Sequence, residues 1–285
     1  MTRSGPAARA TPALRQMLKA SAAAVDVVRR PHRGITFLIY HRVGAGNGGQ
    51  MDLPLDVFEA QLDWLRDTQR VISLDQAADE LSSCVGAEPG VGPGVEPGVV
   101  LTFDDGTTDW VDHVLPALER FSTPATFYVA TEFVEEGVPF PSDGRPLDWV
   151  AVRELASSAL VTIGSHTHRH LLLDRLPDEQ IGDELDRSIE LLSEHVDRPV
   201  AHFAYPKAVA GSPAADAAVR SRFRTAVLAG TRANRGGADL YRLARSPVQA
   251  SDGSRWFHRK ATGGLGAEDE MRQLANRVRY RGITA

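Results

Sequence analysis

The chain has 285 residues, of which 42% are hydrophobic and 24% are charged, a composition typical of a globular protein with room for one large α/β domain or two small ones. A formal net charge of −5 argues against nucleic acid as a partner, and the single cysteine, Cys84, excludes an intrachain disulfide and a multi-cysteine metal cluster. The sequence shows neither a membrane span of about 18 apolar residues nor a clear signal peptide, so we expect a cytoplasmic protein.

The first 33 residues are predicted to be a basic extension that precedes one domain at residues 34–285. They carry seven Lys and Arg residues against a single acidic residue, Asp26. Apolar residues at helical spacing predict an amphipathic helix here, with Lys19 off the apolar stripe. The residues of that stripe are Leu14, Met17, Leu18, Ala22, Val25 and Val28. The helix either docks on the domain or lies on an anionic membrane surface through residues 13–30.

From residue 34 onward, predicted strands alternate with predicted helices. Strands are predicted at 34–40, 71–72, 99–103, 125–129, 160–164, 200–205, 223–228 and 240–248. Helices are predicted at about 55–65, 75–81, 107–120, 148–158, 177–195, 213–220 and 268–280. A segment at 86–98, rich in Gly and Pro, is predicted to be an exposed loop. The alternation favours one domain built as a β/α barrel rather than two domains.

The strand after the Gly/Pro-rich segment delivers two carboxylates to its carboxyl end. Asp104 and Asp105 follow the apolar run at 99–103 and precede Gly106. Barrels of parallel strands form their active sites at the carboxyl ends of the strands, so this is a candidate catalytic position. Adjacent residues of an extended strand point to opposite faces, so the use of both carboxylates needs a break or a metal, and Gly106 is expected to supply the break. A strand that simply ends in a polar turn is the alternative.

Three histidines, His166, His168 and His170, follow the strand at 160–164. The spacing of the first and third lets two imidazoles bind one divalent metal, and a carboxylate from the neighbouring strand end would complete a site with open positions. The second carboxylate could then take a proton from a metal-bound water. A third strand end, at 203–207, offers backbone N–H groups that could stabilise an oxyanion. Together these strand ends point to hydrolysis.

Three motifs, each after a strand, resemble those of the polysaccharide deacetylase family, the NodB-homology or carbohydrate esterase family 4 proteins. They are Thr-Phe-Asp-Asp-Gly at 102–106, Gly-Ser-His-Thr-x-x-His at 164–170 and Phe-Ala-Tyr-Pro at 203–206. Tyr-His-Arg-Val at 40–43 and Arg-x-Pro-Val at 245–248 resemble one branch of that family. The resemblance implies a distorted (β/α)7-type barrel that hydrolyses the acetamide of an N-acetylated sugar in a polysaccharide or its precursor.

The resemblance also implies roles for individual residues and a bound divalent metal ion, with zinc as the first candidate. Asp104 would be the general base, and the metal ligands would be Asp105, His166 and His170. The backbone N–H of Lys207 would bind the oxyanion. Further candidate contacts to the substrate are Tyr205, Arg245 and His41.

Two departures from the family pattern affect these roles. Ala204 stands where the family usually has an arginine that orients the base, and Arg245 is the candidate to replace it. The late Leu-x-His motif, which supplies the general acid, has no clear counterpart after Val248. The candidate for the acid is His258, followed by His41 and His202. Two other functions stay open: hydrolysis of another small compound with a C–N bond, and carbohydrate binding without turnover.

Overall fold

The computed structural model of the chain describes residues 12–28, 31–83 and 94–268. The strands of these residues are β1 (Ile35–Tyr40), β2 (Arg42–Val43), β3 (Asp52–Leu53), β4 (Gly98–Asp105), β5 (Ala125–Val129), β6 (Val161–Ser165), β7 (His202–Ala204), β8 (Thr225–Ala229) and β9 (Leu243–Pro247). β1 and β4 to β9 form a closed parallel barrel in chain order, with β9 paired to β1, whereas β2 and β3 pair with each other outside it. The predicted (β/α)7-type barrel is confirmed. Its distortion is largest between β6 and β7, which pair only at Ser165 and Phe203.

Helices connect most of the strands and cover the outside of the barrel. They are α1 (Pro12–Val28), α2 (Leu55–Thr68), α3 (Leu74–Ser82), α4 (Leu115–Phe121), α5 (Thr131–Glu136), α6 (Trp149–Ser157), α7 (Asp178–His195), α8 (Pro213–Arg222) and α9 (Gly253–Ala261). The sequence did not predict α5 or α9, and the predicted strand at 71–72 is a single bridge from Val71 to Val99. The predicted helix at 268–280 lies outside the described residues apart from its first residue, as does the predicted loop at 86–98 apart from 94–98.

Strand β4 shows how the sequence builds the barrel wall and aims Asp104 inward. Its alternate residues Val99, Leu101 and Phe103 lie in the core between the barrel and its helices. Val100 lies in a second core cluster inside the barrel, and Thr102 and Asp104 follow on the same face because side chains alternate along a strand. A strand buried on both faces reads as a continuous apolar run, which is why the sequence signal was clear.

Helix α3 closes the amino end of the barrel. Leu74 and Ala77 belong to the same core cluster as Phe37 and Val100. Ser73 caps the helix by accepting the backbone N–H of Gln76 at 3.2 Å. With one end filled by apolar side chains, the polar site can form only at the other end of the barrel, where the strands end.

Helix α1 docks on the barrel through a buried charge. Lys19 is 1% exposed and pairs with Asp252, which also accepts hydrogen bonds from Lys260 at 2.9 and 3.0 Å. Met17 is 67% exposed and Val25 is 38% exposed. The predicted apolar stripe is therefore wrong at these positions, because the ion pair with Asp252 turns Lys19 inward. The domain boundary at residue 34 and the membrane contact of residues 13–30 stay predictions.

No helix in the described ranges is both long enough and apolar enough to cross a membrane.

Candidate active site

Three side chains that can bind a metal converge at the carboxyl end of the barrel. Asp105 ends β4, and His166 and His170 follow β6. The Asp105 Oδ1 atom lies 3.7 Å from Nε2 of His166 and 3.6 Å from Nε2 of His170. One ligand atom from each residue lies within 4.8 Å of the others, so a single cation can contact all three. The structure thus brings together the three predicted metal ligands.

Both histidines present Nε2 to Asp105. His166 Nδ1 lies 2.7 Å from the carbonyl oxygen of Ala204. Because a carbonyl oxygen only accepts, Nδ1 of His166 donates this hydrogen bond, and Nε2 is the atom that faces Asp105. Burial, and then the charge of His166, lower the pKa of His170 to about 4. The His170 imidazole is therefore neutral at pH 7, which is the metal-binding form.

The backbone breaks at the carboxylate pair. In a regular strand Asp104 and Asp105 would point to opposite faces. Asp105 has a φ of 94° and Gly106 a φ of 119°, so the break begins at Asp105, one residue earlier than predicted. Positive φ at a residue other than glycine costs about 1–3 kcal/mol and is concentrated at functional sites. This turn lets both carboxylates serve one site.

Asp104 is a buried carboxylate that a buried arginine holds at both oxygens. The Nη1 and Nη2 atoms of Arg245 donate to Asp104 Oδ1 and Oδ2 at 2.6 and 2.7 Å. Arg245 Nη1 also donates to Thr102 Oγ1 at 2.9 Å. Burial raises the pKa of Asp104, but the charge of Arg245, followed by that of His166, outweighs burial and lowers the pKa to about 2. Asp104 is therefore ionised at neutral pH in a fixed orientation.

Barrel closure explains how Arg245 reaches Asp104. β1 lies between β9 and β4, and Phe37 of β1 pairs with Arg245 on one side and with Val100 on the other. The Arg245 side chain is fully buried, with its guanidinium carbon 5.3 Å from the ring centre of Tyr128. Arg245 is thus beside Asp104, the carboxylate that we expected it to orient. The family usually has an arginine for this role at the position of Ala204.

His41 faces the same group of charges from the end of β1. Its Nδ1 atom is buried and has no hydrogen-bond partner among the described residues. Burial lowers the pKa of His41, and the charges of Asp105 and Asp104 oppose that effect. The carbonyl oxygen of His41 accepts the indole N–H of Trp110 at 2.7 Å, which fixes the backbone. A titratable ring is therefore held within electrostatic range of both carboxylates.

Three other candidates lie away from the carboxylate pair. His258 stacks on Trp64 of α2, with ring centres 4.0 Å apart, in the helical layer outside the barrel. His202 begins β7 at the amino end, where its Nε2 lies 3.3 Å from Oδ1 of Asp75. Tyr205 packs with Phe203 in the outer core, with ring centres 5.0 Å apart, and burial raises its pKa to about 12. Because side chains alternate along an extended chain, Tyr205 points outward while Ala204 faces the site.

Lys207 lies at the rim of the site. It is exposed and has a φ of 52° in the turn that follows β7. Its charge contributes to the lowered pKa of His170. The role of its backbone N–H as an oxyanion donor stays a prediction.

A family model described as polysaccharide deacetylase matches residues 92–226. IcaB from Ammonifex degensii has the same fold, with a TM-score of 0.67 and 25% identity over 81% of this chain and 97% of that chain. Residues 92–226 therefore resemble the polysaccharide deacetylase family. The Streptococcus pyogenes deacetylase PplD, solved in complex with acetate, shares the fold at a TM-score of 0.66 and 20% identity over 81% of this chain and 99% of that chain.

Two curated relatives match shorter stretches of this chain. The poly-beta-1,6-N-acetyl-D-glucosamine N-deacetylase of Escherichia coli (strain K12) is 30% identical over 148 residues, which are 48% of this chain and 21% of that protein. The Bacillus subtilis (strain 168) protein YxkH is 26% identical over 178 residues, which are 60% of this chain and 56% of that protein. The chain therefore spans about half of the second protein and about a fifth of the first.

Proposed function

We propose that this chain is a metal-dependent N-deacetylase of a polysaccharide or its precursor. One observation carries the proposal: an ionised carboxylate, Asp104, is held by Arg245 beside the convergent ligand atoms of Asp105, His166 and His170. A protein that only binds sugar has no need of a second carboxylate kept charged in the barrel. The name of the Escherichia coli relative makes poly-β-1,6-N-acetylglucosamine the first substrate to test.

The three ligand atoms suit a divalent cation. They combine one carboxylate oxygen with two imidazole nitrogens, and three protein ligands leave coordination positions open. The Ala204 carbonyl fixes the tautomer of His166, as second-shell groups do at metal sites. Bound there, a divalent cation such as zinc would supply Lewis-acid chemistry, polarising the acetamide carbonyl and lowering the pKa of a water molecule.

Asp104 would accept the proton of the attacking water. Its pKa of about 2 keeps it ionised at neutral pH. Each of its oxygens accepts one hydrogen bond from Arg245 and keeps a second lone pair for the proton. Arg245 would therefore orient the base without blocking it, and the aligned water would attack the acetamide carbon.

His41 would donate the proton that the departing nitrogen needs when the C–N bond breaks. Its ring is within electrostatic range of Asp104 and Asp105; burial lowers the pKa of His41, and these two charges oppose that effect. His258 is unsuited to this role because it stacks on Trp64 outside the barrel. With His41 as the acid, the site has a base and an acid, and the products are acetate and a free amino sugar.

Acetate release from defined oligosaccharides tests the proposal. The zinc-loaded chain is incubated with β-1,6-linked N-acetylglucosamine oligomers and, separately, with β-1,4-linked ones. Acetate and free amines are both measured, and deacetylation should release them in equal amounts. We expect release from the β-1,6 oligomer and loss of release after treatment with a chelator. A metal-loaded chain that binds the oligomers but frees no acetate would contradict the proposal and favour carbohydrate binding without turnover.

A further inference from the structure

The turn that carries both histidines has a strained backbone. We call residues 165–170 the His loop. Thr167 has a φ of 66° and His170 a φ of 57°. Residues other than glycine seldom adopt this left-handed region, and for a β-branched threonine it is a clear outlier. Such a backbone persists only when its surroundings hold it, so the groups that hold the His loop decide where His170 points.

One buried carboxylate on α7 holds the outer part of the His loop. Glu184 is 1% exposed. Its Oε2 atom accepts the backbone N–H of Arg169 at 2.8 Å, and its Oε1 atom accepts Nε of the same arginine at 2.5 Å. The backbone carbonyl of Glu184 accepts the N–H of His168 at 3.2 Å. The backbone N–H groups of His168 and Arg169, the two residues before His170, therefore both donate hydrogen bonds to Glu184.

Neutral groups hold the rest of the His loop. Ser165 Oγ lies 2.8 Å from Oγ of Ser188, one turn further along α7. Thr131 of α5 lies on the other side, where its backbone N–H donates to the carbonyl of Thr167 at 3.3 Å and its hydroxyl lies 3.0 Å from Nδ1 of His168. These contacts fix the loop as far as His168. The charged contact of Glu184 is the one that reaches the residue next to His170.

We propose that Glu184 is a positioning residue for the metal ligand His170. Its carboxylate group holds both the backbone and the side chain of Arg169, and so keeps His170 in the left-handed conformation that places Nε2 3.6 Å from Asp105 Oδ1. The inference rests on the proposed function, since it assumes a metal at these ligands. Outer groups that orient metal ligands typically change metal affinity by about 10–100-fold when they are removed.

Metal titration of two variants tests the proposal apart from activity. Co²⁺ affinity is measured by competition with a chelator, together with the visible spectrum of bound Co²⁺, for the full chain and for Glu184→Ala and Glu184→Gln. Circular dichroism sets a temperature at which the variants are folded. We expect Glu184→Ala to bind Co²⁺ about 10–100-fold more weakly with an altered spectrum. Glu184→Gln, which keeps an acceptor for the Arg169 N–H but loses the charge, should lie between.

Glu190 provides the matched control. It lies on the same helix and pairs with Arg187 at 2.6 Å, with both side chains largely exposed. Glu190→Ala should bind Co²⁺ within twofold of wild type. If Glu184→Ala does not fold, the Gln variant carries the comparison.

Two results would overturn the inference. Wild-type affinity and spectrum in the folded Glu184 variants, even with a lower melting temperature, would assign the carboxylate a structural role only. Failure of the wild-type chain itself to bind Co²⁺ would overturn both this inference and the proposed function.

Discussion

The candidate active site joins two regions of the chain that differ in how they reach it. The region that the family model matches, residues 92–226, contains the carboxylate pair and the His loop. His41 and Arg245 lie outside that region, at the end of β1 and within β9. The first region holds the predicted base and metal ligands, and the second holds the groups that set the ionisation and orientation of the base and offer an acid.

The difference is one of distance along the chain. The ligands inside the matched region follow two strands of short, regular β/α units, so local spacing places them. Arg245 contacts Asp104 across 141 residues, and only closure of the barrel through β1 makes that contact. A family sequence pattern can therefore predict the metal ligands. The residues that support them, such as Arg245, are identified only from the three-dimensional structure.

Replacement of His41 should have the largest effect among the residues outside the matched region. Loss of a general acid typically lowers the rate by about 10²–10⁴-fold, so His41→Gln should lower kcat for acetate release by about 10³-fold. The metal affinity should stay near that of wild type, because His41 is not among the converging ligands. Steady-state kinetics and metal titration of the same preparation measure both.

His258→Gln is the control for that prediction. Its ring stacks on Trp64 outside the barrel, so kcat should stay within twofold of wild type. A large loss in His258→Gln with little change in His41→Gln would reverse the assignment of the acid.

Replacement of Arg245 should be the next largest effect. Arg245→Met removes the charge that lowers the pKa of Asp104, so burial then dominates and raises that pKa. We expect kcat/KM to fall about 100-fold because the base is no longer oriented, and the acid limb of its pH profile to move to higher pH. Arg242→Met, which removes an exposed arginine paired with Asp216 just before β9, should leave the acid limb in place.

The same carboxylate predicts a smaller effect on stability. The pKa of Asp104 falls from 3.8 to about 2 on folding, so its ionised form stabilises the fold above pH 3.8, and that contribution is lost as the pH falls through 2. The contribution is about 2 kcal/mol. Urea unfolding at pH 5 and pH 2 should show a smaller pH dependence in Asp104→Asn than in wild type. Equal dependence in both proteins would mean that folding does not lower the pKa of Asp104.

Much of the barrel and the centre of the site could be predicted from sequence. Buried parallel strands read as apolar runs, and the polar residues that follow them meet at one end of the barrel. One carboxylate of the pair at 104–105 was predicted to join His166 and His170 for this reason, and the choice of Asp105 came from the family resemblance. The sequence predicted the backbone break at Gly106, but it begins one residue earlier, at Asp105. Glycine is the residue that usually indicates a positive φ, whereas an aspartate in the sequence does not.

Contacts between distant segments could not be read in this way. The choice between His41 and His258 as the general acid depends on where each residue lies in the folded chain. His41 lies at the end of β1, whereas His258 lies on α9. Lys19 was placed on the solvent side of α1 because its partner, Asp252, is 233 residues away. Glu184 looked like one of many acidic residues on α7, and only its burial against Arg169 sets it apart from Glu190.

We propose that Asp105 binds the metal and that Asp104 accepts the proton of the attacking water, and one paired measurement tests this difference most directly. Bound zinc per chain and acetate release from the β-1,6-linked oligomer are measured on wild type, Asp104→Asn and Asp105→Asn. We expect Asp104→Asn to keep its zinc and lose at least 10²-fold in acetate release, and Asp105→Asn to lose both. Wild-type turnover by Asp104→Asn, or full zinc content in Asp105→Asn, would contradict the account.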